Sequence, residues 1–161
     1  MNKILNVKEA ISLAEKLKGD KKTIVICGGC FDILHIGHIR FLEHAKQKGD
    51  KLFVLLENDK NVKKIKGKNR PINSQIERAE VLEGLIFIDY IVMLDEMKTN
   101  RDYDNLIYSI KPNVIAITKN DPQKIHNVRQ SKKINAKVIE VVNRIDNKSS
   151  SKLSHLIYKN F

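Results

Sequence analysis

Short apolar segments alternate along the chain with segments in which apolar residues recur at helical spacing. The apolar segments show little polar alternation, which is typical of strands buried on both faces of a sheet. We predict strands over residues 23–27, 51–56, 90–93, 114–117 and 137–142. We predict helices over residues 37–47, from 74 to about 84, over 104–110, and up to about 133. Further helices are predicted within residues 1–20 and from 147–150 onwards.

This alternation of strands and helices predicts the fold class. It indicates an α/β domain, Rossmann-like, with a doubly wound parallel sheet of about five strands and helices on both faces. At 161 residues the chain has the length of one domain. We therefore predict a single domain over 1–161, with residues 1–20 as an N-terminal helical extension packed on it. Ligands of such sheets bind at the carboxyl ends of the strands.

One polar segment interrupts the pattern. Residues 58–69 are rich in lysine and end before Arg70-Pro71. A lysine run of this kind is typical of a solvated surface or of a cationic loop that closes over an anionic ligand. We predict a mobile loop here.

The most informative segment is Gly28–Arg40, which reads GGCFDILHIGHIR. Because it joins the first predicted strand to a helix, His35 and His38 lie at or just inside a helix N-terminus. Free backbone N–H groups and the positive end of the helix dipole attract phosphate there. Residues three apart share a helix face, so both imidazoles can contact one ligand. Gly37 between them lets a ligand approach the backbone, and the segment therefore predicts a site for phosphate chemistry.

The stretch GCFDILHIGH resembles the HxGH signature of the small nucleotidyltransferases, which include cytidylyltransferases and phosphopantetheine, nicotinate and heptose-phosphate adenylyltransferases. The chain resembles most the adenylyltransferase domain of bifunctional ADP-heptose synthases. The similarity runs through KGKNRPI at residues 66–72 and IKP at 110–112, and covers most of the chain.

This resemblance implies that a phosphate oxygen of an acceptor attacks the α-phosphorus of a nucleoside triphosphate and releases pyrophosphate. It favours transfer of AMP from ATP to a heptose phosphate or similar sugar phosphate. Within the same family, CTP with glycerol 3-phosphate or a related polyol phosphate, and ATP with FMN, are the alternatives.

Three groups of candidate site residues follow. His35 and His38 would donate hydrogen bonds to phosphate oxygens in the transition state, and Lys66 would add a cation, so these are the predicted catalytic residues. Nucleotide binding is predicted for Gly28, Gly29, Cys30, Phe31, Gly37, Asp121, Arg144, Ser149 and Ser150. Acceptor binding is predicted for Asp32, Asn58, Arg70 and Arg78. Asp32 has an alternative role in bracing its loop, and Arg78 one in the structure of its helix.

Two segments depart from the family pattern. Residues 144–151, RIDNKSSS, resemble an RTxGxSTT segment whose hydroxyl groups form a second anion site at a helix start. Ile145 replaces the family's Thr, and Asn147 replaces its Gly. At residues 118–121, TKND replaces a glycine-containing segment that contacts the base and ribose, so a different backbone is expected there.

Cys27 and Cys30 form a CGGC pattern with three interpretations. A thioredoxin-like redox pair would lie at the start of a helix, whereas the predicted helix begins at Gly37, and the chain has no Trp. A zinc site would use both cysteines with His35 and His38, at a spacing much shorter than that of a zinc finger. The favoured interpretation is two reduced, mostly buried thiols at a strand end.

The net charge of +11, from 30 Lys and Arg against 19 Asp and Glu, would suit a nucleic acid or an anionic small molecule. Lysine far outnumbers arginine and aromatic residues are 6% of the chain, which disfavours a basic nucleic-acid-binding domain. We therefore predict small-molecule partners, a nucleoside triphosphate and a phosphorylated acceptor.

The triphosphate substrate predicts a cofactor, and the apolar segments of the sequence predict a location. Mg²⁺ is expected with the triphosphate, while no carboxylate cluster indicates a metal site of the protein itself. No segment is long and apolar enough to span a bilayer, and the first residues lack a signal-peptide pattern, so a cytoplasmic location is expected. Members of the resembled family are often homodimers, so the resemblance also implies a homodimer here.

Overall fold

The computed structural model describes residues 2–143, which form a parallel sheet with helices on both faces. Its strands are β1 (Ile4–Asn6), β2 (Ile24–Gly29), β3 (Lys51–Leu56), β4 (Tyr90–Met93), β5 (Val114–Thr118) and β6 (Lys137–Val142). Its helices are α1 (Val7–Gly19), α2 (Ile36–Lys46), α3 (Asp59–Lys66), α4 (Gln75–Glu83), α5 (Asn100–Ile110) and α6 (Lys124–Ile134). The Rossmann-like α/β fold predicted from the sequence is confirmed.

The strand order is β1-β4-β3-β2-β5-β6, and every neighbouring pair is parallel. From β2 the chain builds outward through β3 and β4, then crosses over to add β5 and β6 on the other side. The crossover places the topological switch between β2 and β5, where open α/β sheets have their ligand crevice.

Burial on both faces explains the continuous apolar strands. Along β2, Ile24 and Ile26 enter a core cluster shared with α1 and α5, whereas Val25 and Cys27 enter a second cluster shared with α2 and α4. Successive side chains of a strand point to opposite faces, so each face of β2 needs apolar residues.

The first strand, β1, is absent from the predictions. It has only three residues and pairs with β4 at the edge of the sheet, too short a segment for a recognisable period. The sheet therefore has six strands within residues 2–143, where about five were predicted. The helix that follows, α1, buries Ala10, Ala14 and Leu17 in the core.

The prediction of a loop over residues 58–69 was wrong, because most of this segment is helix α3. Asn58 caps the helix, Asp59 lies in its first turn, and lysines fill its last turn, which matches the charges to the helix dipole. Val62 is its one buried apolar residue. The helix therefore lacks the apolar periodicity from which a helix is predicted.

Other elements agree closely with the sequence. The capping box at the start of α4 is present, with Glu77 accepting from the Ser74 backbone at 2.7 Å and the Ser74 hydroxyl oxygen accepting from Glu77 N–H at 3.4 Å. The bounds of β4 and β6 are those predicted. The predicted helix after residue 147 lies outside the described residues. Among residues 2–143, no helix is long and apolar enough to cross a membrane.

Candidate functional site

The candidate site lies where β2 ends beside the topological switch. The loop of residues 30–35 (the β2–α2 loop) leaves the sheet there, and α2 begins at Ile36. On the other side of the switch, β5 ends at Thr118 and is followed by Asp121. The predicted positions on these two loops are thus brought to one edge of the sheet.

His35 and His38 form a stacked pair at the start of α2. Their ring centroids are 3.9 Å apart and the rings are inclined by 29°. The His35 Nδ1 atom accepts a hydrogen bond from Gly37 N–H at 3.1 Å and so caps the helix. Because Nδ1 is the acceptor, a neutral His35 carries its proton on Nε2.

The helix dipole at this end is not neutralised by a carboxylate. The helices α1, α3, α4 and α5 each carry an Asp or Glu in the first turn, whereas α2 and α6 carry none. Of these two helices, α2 begins beside the topological switch, where an anionic ligand would complete its N-terminus as an acidic residue completes those of α1, α3, α4 and α5.

His38 is held in a mostly apolar environment. Its ring meets the edge of Phe31 at a centroid distance of 5.3 Å, and its Nδ1 atom is buried with no well-formed hydrogen bond among the described residues. Burial, and then the charges of His35 and Lys66, lower the pKa of His38 to about 4. The His38 ring is therefore neutral near pH 7.

Phe31 reaches this position through a left-handed backbone conformation, with φ of 47°. Such a conformation costs a non-glycine residue about 1–3 kcal/mol and persists only where the surrounding structure holds it. Gly29 makes room for the Phe31 ring, because a Cβ at residue 29 would lie 2.8 Å from the ring atom Cε2. Gly29 is therefore needed for packing beneath the imidazole pair.

Lys66 ends helix α3, and the chain then turns at Gly67, where φ is 103°. Its side chain is exposed. Four residues further on, Arg70 pairs with Asp32 of the β2–α2 loop, so the chain that follows α3 is held at that loop. The Lys66 charge accordingly lowers the pKa of both Cys30 and His38. Lys66 is thus brought to the imidazole pair from a separate element.

Asp32 and Arg70 form a buried ion pair. The Asp32 carboxylate also accepts from the backbone N–H groups of Ile72 at 2.9 Å and Asn73 at 3.0 Å. Burial raises the pKa of Asp32, but these hydrogen bonds and the Arg70 charge outweigh it, and the pKa lies below its usual value. The pair braces the β2–α2 loop against residues 70–74.

Arg78 is 1% exposed and joins four segments. Its guanidinium donates to the carbonyls of Asn73 at 3.0 Å, Cys30, and Glu57 at 2.8 Å, and to the Asp59 carboxylate at 2.7 Å. The side chain thus has the structural role that was the alternative for it.

The predicted residues Asn58 and Asp121 both accept hydrogen bonds from nearby backbone N–H groups. The Asn58 amide oxygen caps α3, accepting from Asn61 N–H at 3.1 Å. Asp121 accepts from Gln123 N–H at 2.7 Å, in a turn where Asn120 adopts φ of 59°. Asn tolerates the left-handed conformation better than other non-glycine residues, which explains a turn without the family's glycine.

The side chains of Asp32, Asn58, Arg70 and Arg78 all have hydrogen-bond or ion-pair partners within the chain. Their acceptor-binding role stays a prediction. Arg144, Ser149 and Ser150 lie outside the described residues, as do Ile145 and Asn147.

The two cysteines are free thiols in different environments. Cys27 points into the core, and burial raises its pKa to about 12. Cys30 is half-buried, and burial raises its pKa as well. Within residues 2–143, no three His, Cys, Asp or Glu side chains are grouped so as to hold a metal ion.

Sequence reasoning missed a polar cluster at the carboxyl end of β3. The Tyr103 hydroxyl donates to the Glu57 carboxylate at 3.0 Å, and the Asn61 amide contacts both side chains. Burial raises the pKa of Glu57, and burial together with the Glu57 charge raises the pKa of Tyr103. The position of Glu57 after a strand was an available signal, whereas nothing in the sequence points to Tyr103.

Comparison with known proteins extends these observations. The family model described as cytidylyltransferase-like matches residues 26–158. Over 110 residues the chain is 46% identical to the bifunctional protein HldE of Campylobacter fetus, covering 67% of this chain and 23% of that protein. Over 95 residues it is 52% identical to the HldE protein of Campylobacter concisus, covering 59% of this chain and 19% of that protein. The chain spans about a fifth of the length of these curated relatives.

Two solved structures share the fold. The lipopolysaccharide core biosynthesis protein from Thermoplasma volcanium has a TM-score of 0.63 at 23% identity, covering 77% of this chain and 99% of that chain. The pantoate-β-alanine ligase from Francisella tularensis has a TM-score of 0.64 at 18% identity, covering 97% of this chain and 77% of that one. Because the family model spans most of the sheet, the β2–α2 loop and the imidazole pair, the chain belongs to the cytidylyltransferase-like family.

Proposed function

We propose that this chain is a nucleotidyltransferase that transfers AMP from ATP to a heptose phosphate or similar sugar phosphate and releases pyrophosphate. The observation that carries the proposal is the stacked pair of His35 and His38 at the uncompensated N-terminus of α2. Membership in the cytidylyltransferase-like family supports the reaction class. Identity to the HldE relatives, together with the resemblance to heptose-phosphate adenylyltransferases, supports the acceptor.

The imidazole pair suits a developing negative charge. The His35 ring presents an Nε2–H donor, because its Nδ1 atom accepts from Gly37 N–H. The pKa of His38 rises when a phosphate anion lies against the ring, because an opposite charge favours the protonated form. Both rings then donate to phosphate oxygens, and Lys66 adds a fixed positive charge. Donors arranged in advance stabilise the transition state without reorganising during the reaction.

The transfer needs no nucleophilic side chain. An oxygen of the acceptor phosphate forms a bond to the α-phosphorus, and the bond from that phosphorus to the oxygen bridging to the β-phosphate breaks. Pyrophosphate leaves with the electron pair of that bond. The protein contributes by holding two polyanions in line and by neutralising the charge between them.

Mg²⁺ enters this proposal as part of the nucleotide substrate. Residues 2–143 place no three carboxylate, imidazole or thiol groups together to hold the ion. When bound with the triphosphate, Mg²⁺ would neutralise part of its charge. The steps assigned to His35, His38 and Lys66 do not depend on a metal site of the protein.

A pyrophosphate-release screen tests the substrates. Each of ATP and CTP is combined with heptose 1-phosphate, glycerol 3-phosphate or FMN in the presence of Mg²⁺. The proposal expects release with ATP and heptose 1-phosphate. Release only with CTP and glycerol 3-phosphate, or only with ATP and FMN, would replace the proposed substrates. If no nucleotide–acceptor pair releases pyrophosphate, the proposed nucleotidyl transfer is refuted.

The role of the imidazole pair is tested by His38→Ala. Removing one donor to the developing charge is expected to lower kcat by about 100- to 1000-fold. The matched control is His44→Ala, in the last turn of the same helix, where Nδ1 contacts the Arg40 carbonyl at 2.7 Å. His44→Ala is expected to keep near-normal turnover, and circular dichroism checks both folds. Equal activity of the two variants would reject the role of His38.

A further inference from the structure

Helix α3 carries Lys66 and is fixed to the rest of the molecule at its N-terminal end. Asp59 pairs with the buried Arg78 at 2.7 Å. Two residues further on, Asn61 is 3% exposed, and its Nδ2 group lies 3.0 Å from the Tyr103 hydroxyl, 3.1 Å from the Met97 carbonyl and 3.2 Å from the Glu57 carboxylate. A buried amide with partners on other elements fixes where its helix lies.

The partners of Asn61 are themselves ordered. Tyr103 lies on α5 and donates to Glu57 at 3.0 Å, so α3, α5 and the end of β3 meet in one hydrogen-bonded cluster. Glu57 N–H also donates to the Gly29 carbonyl at 3.1 Å. The cluster is thereby tied to the strand that precedes the β2–α2 loop.

The outer side of α3 is held more weakly. Lys60 and Lys64 pair with Glu96 at 2.9 and 3.0 Å, but both ammonium groups are well exposed. Exposed ion pairs contribute at most about 1 kcal/mol. The buried contacts at Asn61 are therefore the stronger constraint on the helix.

Lys66 lies five residues beyond Asn61, in the last turn of the same helix. A helix of this length behaves as a short rod, so a displacement at Asn61 moves its far end. We propose that Asn61, held by Glu57 and Tyr103, is a positioning residue that keeps the Lys66 ammonium beside the β2–α2 loop and His38. The relevance of this position to catalysis rests on the proposed function, whereas the position itself does not.

The Cys30 thiol reports on Lys66 without any substrate. Burial raises the pKa of Cys30, Lys66 and Arg78 lower it, and Glu57 and Asp32 raise it. Iodoacetamide labels the thiolate, and the pH dependence of labelling gives the pKa. Of the two cysteines, Cys27 is fully buried with a pKa of about 12, so mass spectrometry can follow Cys30 alone.

The variants form a cycle. Lys66→Ala is expected to raise the pKa of Cys30, because it removes the charge that lowers this pKa most. Asn61→Ala is also expected to raise the pKa of Cys30. In a Lys66→Ala background, Asn61→Ala should cause no further rise of this pKa. Glu96→Gln, which releases only the exposed side of α3, is the matched control and should leave the pKa unchanged. Tyr103→Phe replaces Asn61→Ala if the latter does not fold.

The same cycle is then applied to turnover. Asn61→Ala is expected to lower kcat/KM by about two- to tenfold, and the double variant should be no worse than Lys66→Ala alone. An unchanged Cys30 pKa in Asn61→Ala, or additive effects of the two substitutions, would overturn the proposal. If the labelling cycle behaves as expected but no nucleotide–acceptor pair releases pyrophosphate, the proposed function fails and the positioning role stands.

Discussion

The packing beneath the imidazole pair depends on a few neighbouring side chains. Phe31 adopts an unfavourable backbone conformation so that its ring meets His38, and Gly29 leaves the space that this ring occupies. The sequence predicts nucleotide binding for both positions, which stays a prediction, but it could not show this packing dependence. A positive φ at Phe31 has no signature in the sequence, because most residues with such values are Gly, Asn or Asp.

Two adjacent glycines allow a matched test of this packing. A Cβ at Gly29 would collide with the Phe31 ring, whereas a Cβ at Gly28 would lie 3.8 Å from Leu55, an ordinary contact. We expect Gly29→Ala to lower the free energy of unfolding by about 1–3 kcal/mol and to weaken ATP binding. Gly28→Ala should change the free energy of unfolding little. Urea denaturation measures the free energy of unfolding, and calorimetric titration measures ATP binding. Equal effects of Gly29→Ala and Gly28→Ala on the free energy of unfolding would contradict the assigned packing.

The loops around the site are joined by buried charges. Asp32 ties the β2–α2 loop to residues 70–74, and Arg78 ties that loop to the end of β3 and the start of α3. These roles were open alternatives in the sequence, because an Asp or Arg near a ligand site and one that braces it have the same local pattern. Helix α3 was missed for a different reason, since its stability comes from capping and from contacts distant in sequence.

The Asp32–Arg70 pair should contribute far more to stability than a surface pair of the same type. Breaking a buried ion pair leaves an uncompensated charge, so Asp32→Asn is expected to cost about 3–5 kcal/mol. Asp104 pairs at 2.6 Å with Arg129, whose side chain is 50% exposed. Because an Asn amide oxygen at residue 104 can still accept from Gln130, Asp104→Asn is expected to cost less than about 1 kcal/mol. Thermal and urea unfolding compare the two variants. A similar loss of stability in Asp32→Asn and Asp104→Asn would show that Asp32 does not brace the loops.

The fold as a unit was the most predictable property. Within residues 2–143, five of the six strands could be located from their apolar runs. Burial on both faces makes the central strands β2 and β3 continuously apolar, whereas β6 at the edge of the sheet is only partly buried. The candidate site residues from Gly28 to His38 could be proposed from the sequence because they follow one contiguous segment, and their binding roles stay predictions. The contacts among Glu57, Asn61 and Tyr103 join distant elements and could not be predicted. A homodimer and a cytoplasmic location stay predictions.

The central claim is that the imidazole pair binds the nucleotide phosphates, and the pKa of His38 tests it most directly. In the free protein that pKa is lowered to about 4. A bound triphosphate would favour the protonated ring, so NMR titration of the His38 imidazole with saturating ATP and Mg²⁺ should give a clearly higher pKa, with His38→Gln assigning the signal. Binding of ATP with an unchanged or lower His38 pKa would contradict the account.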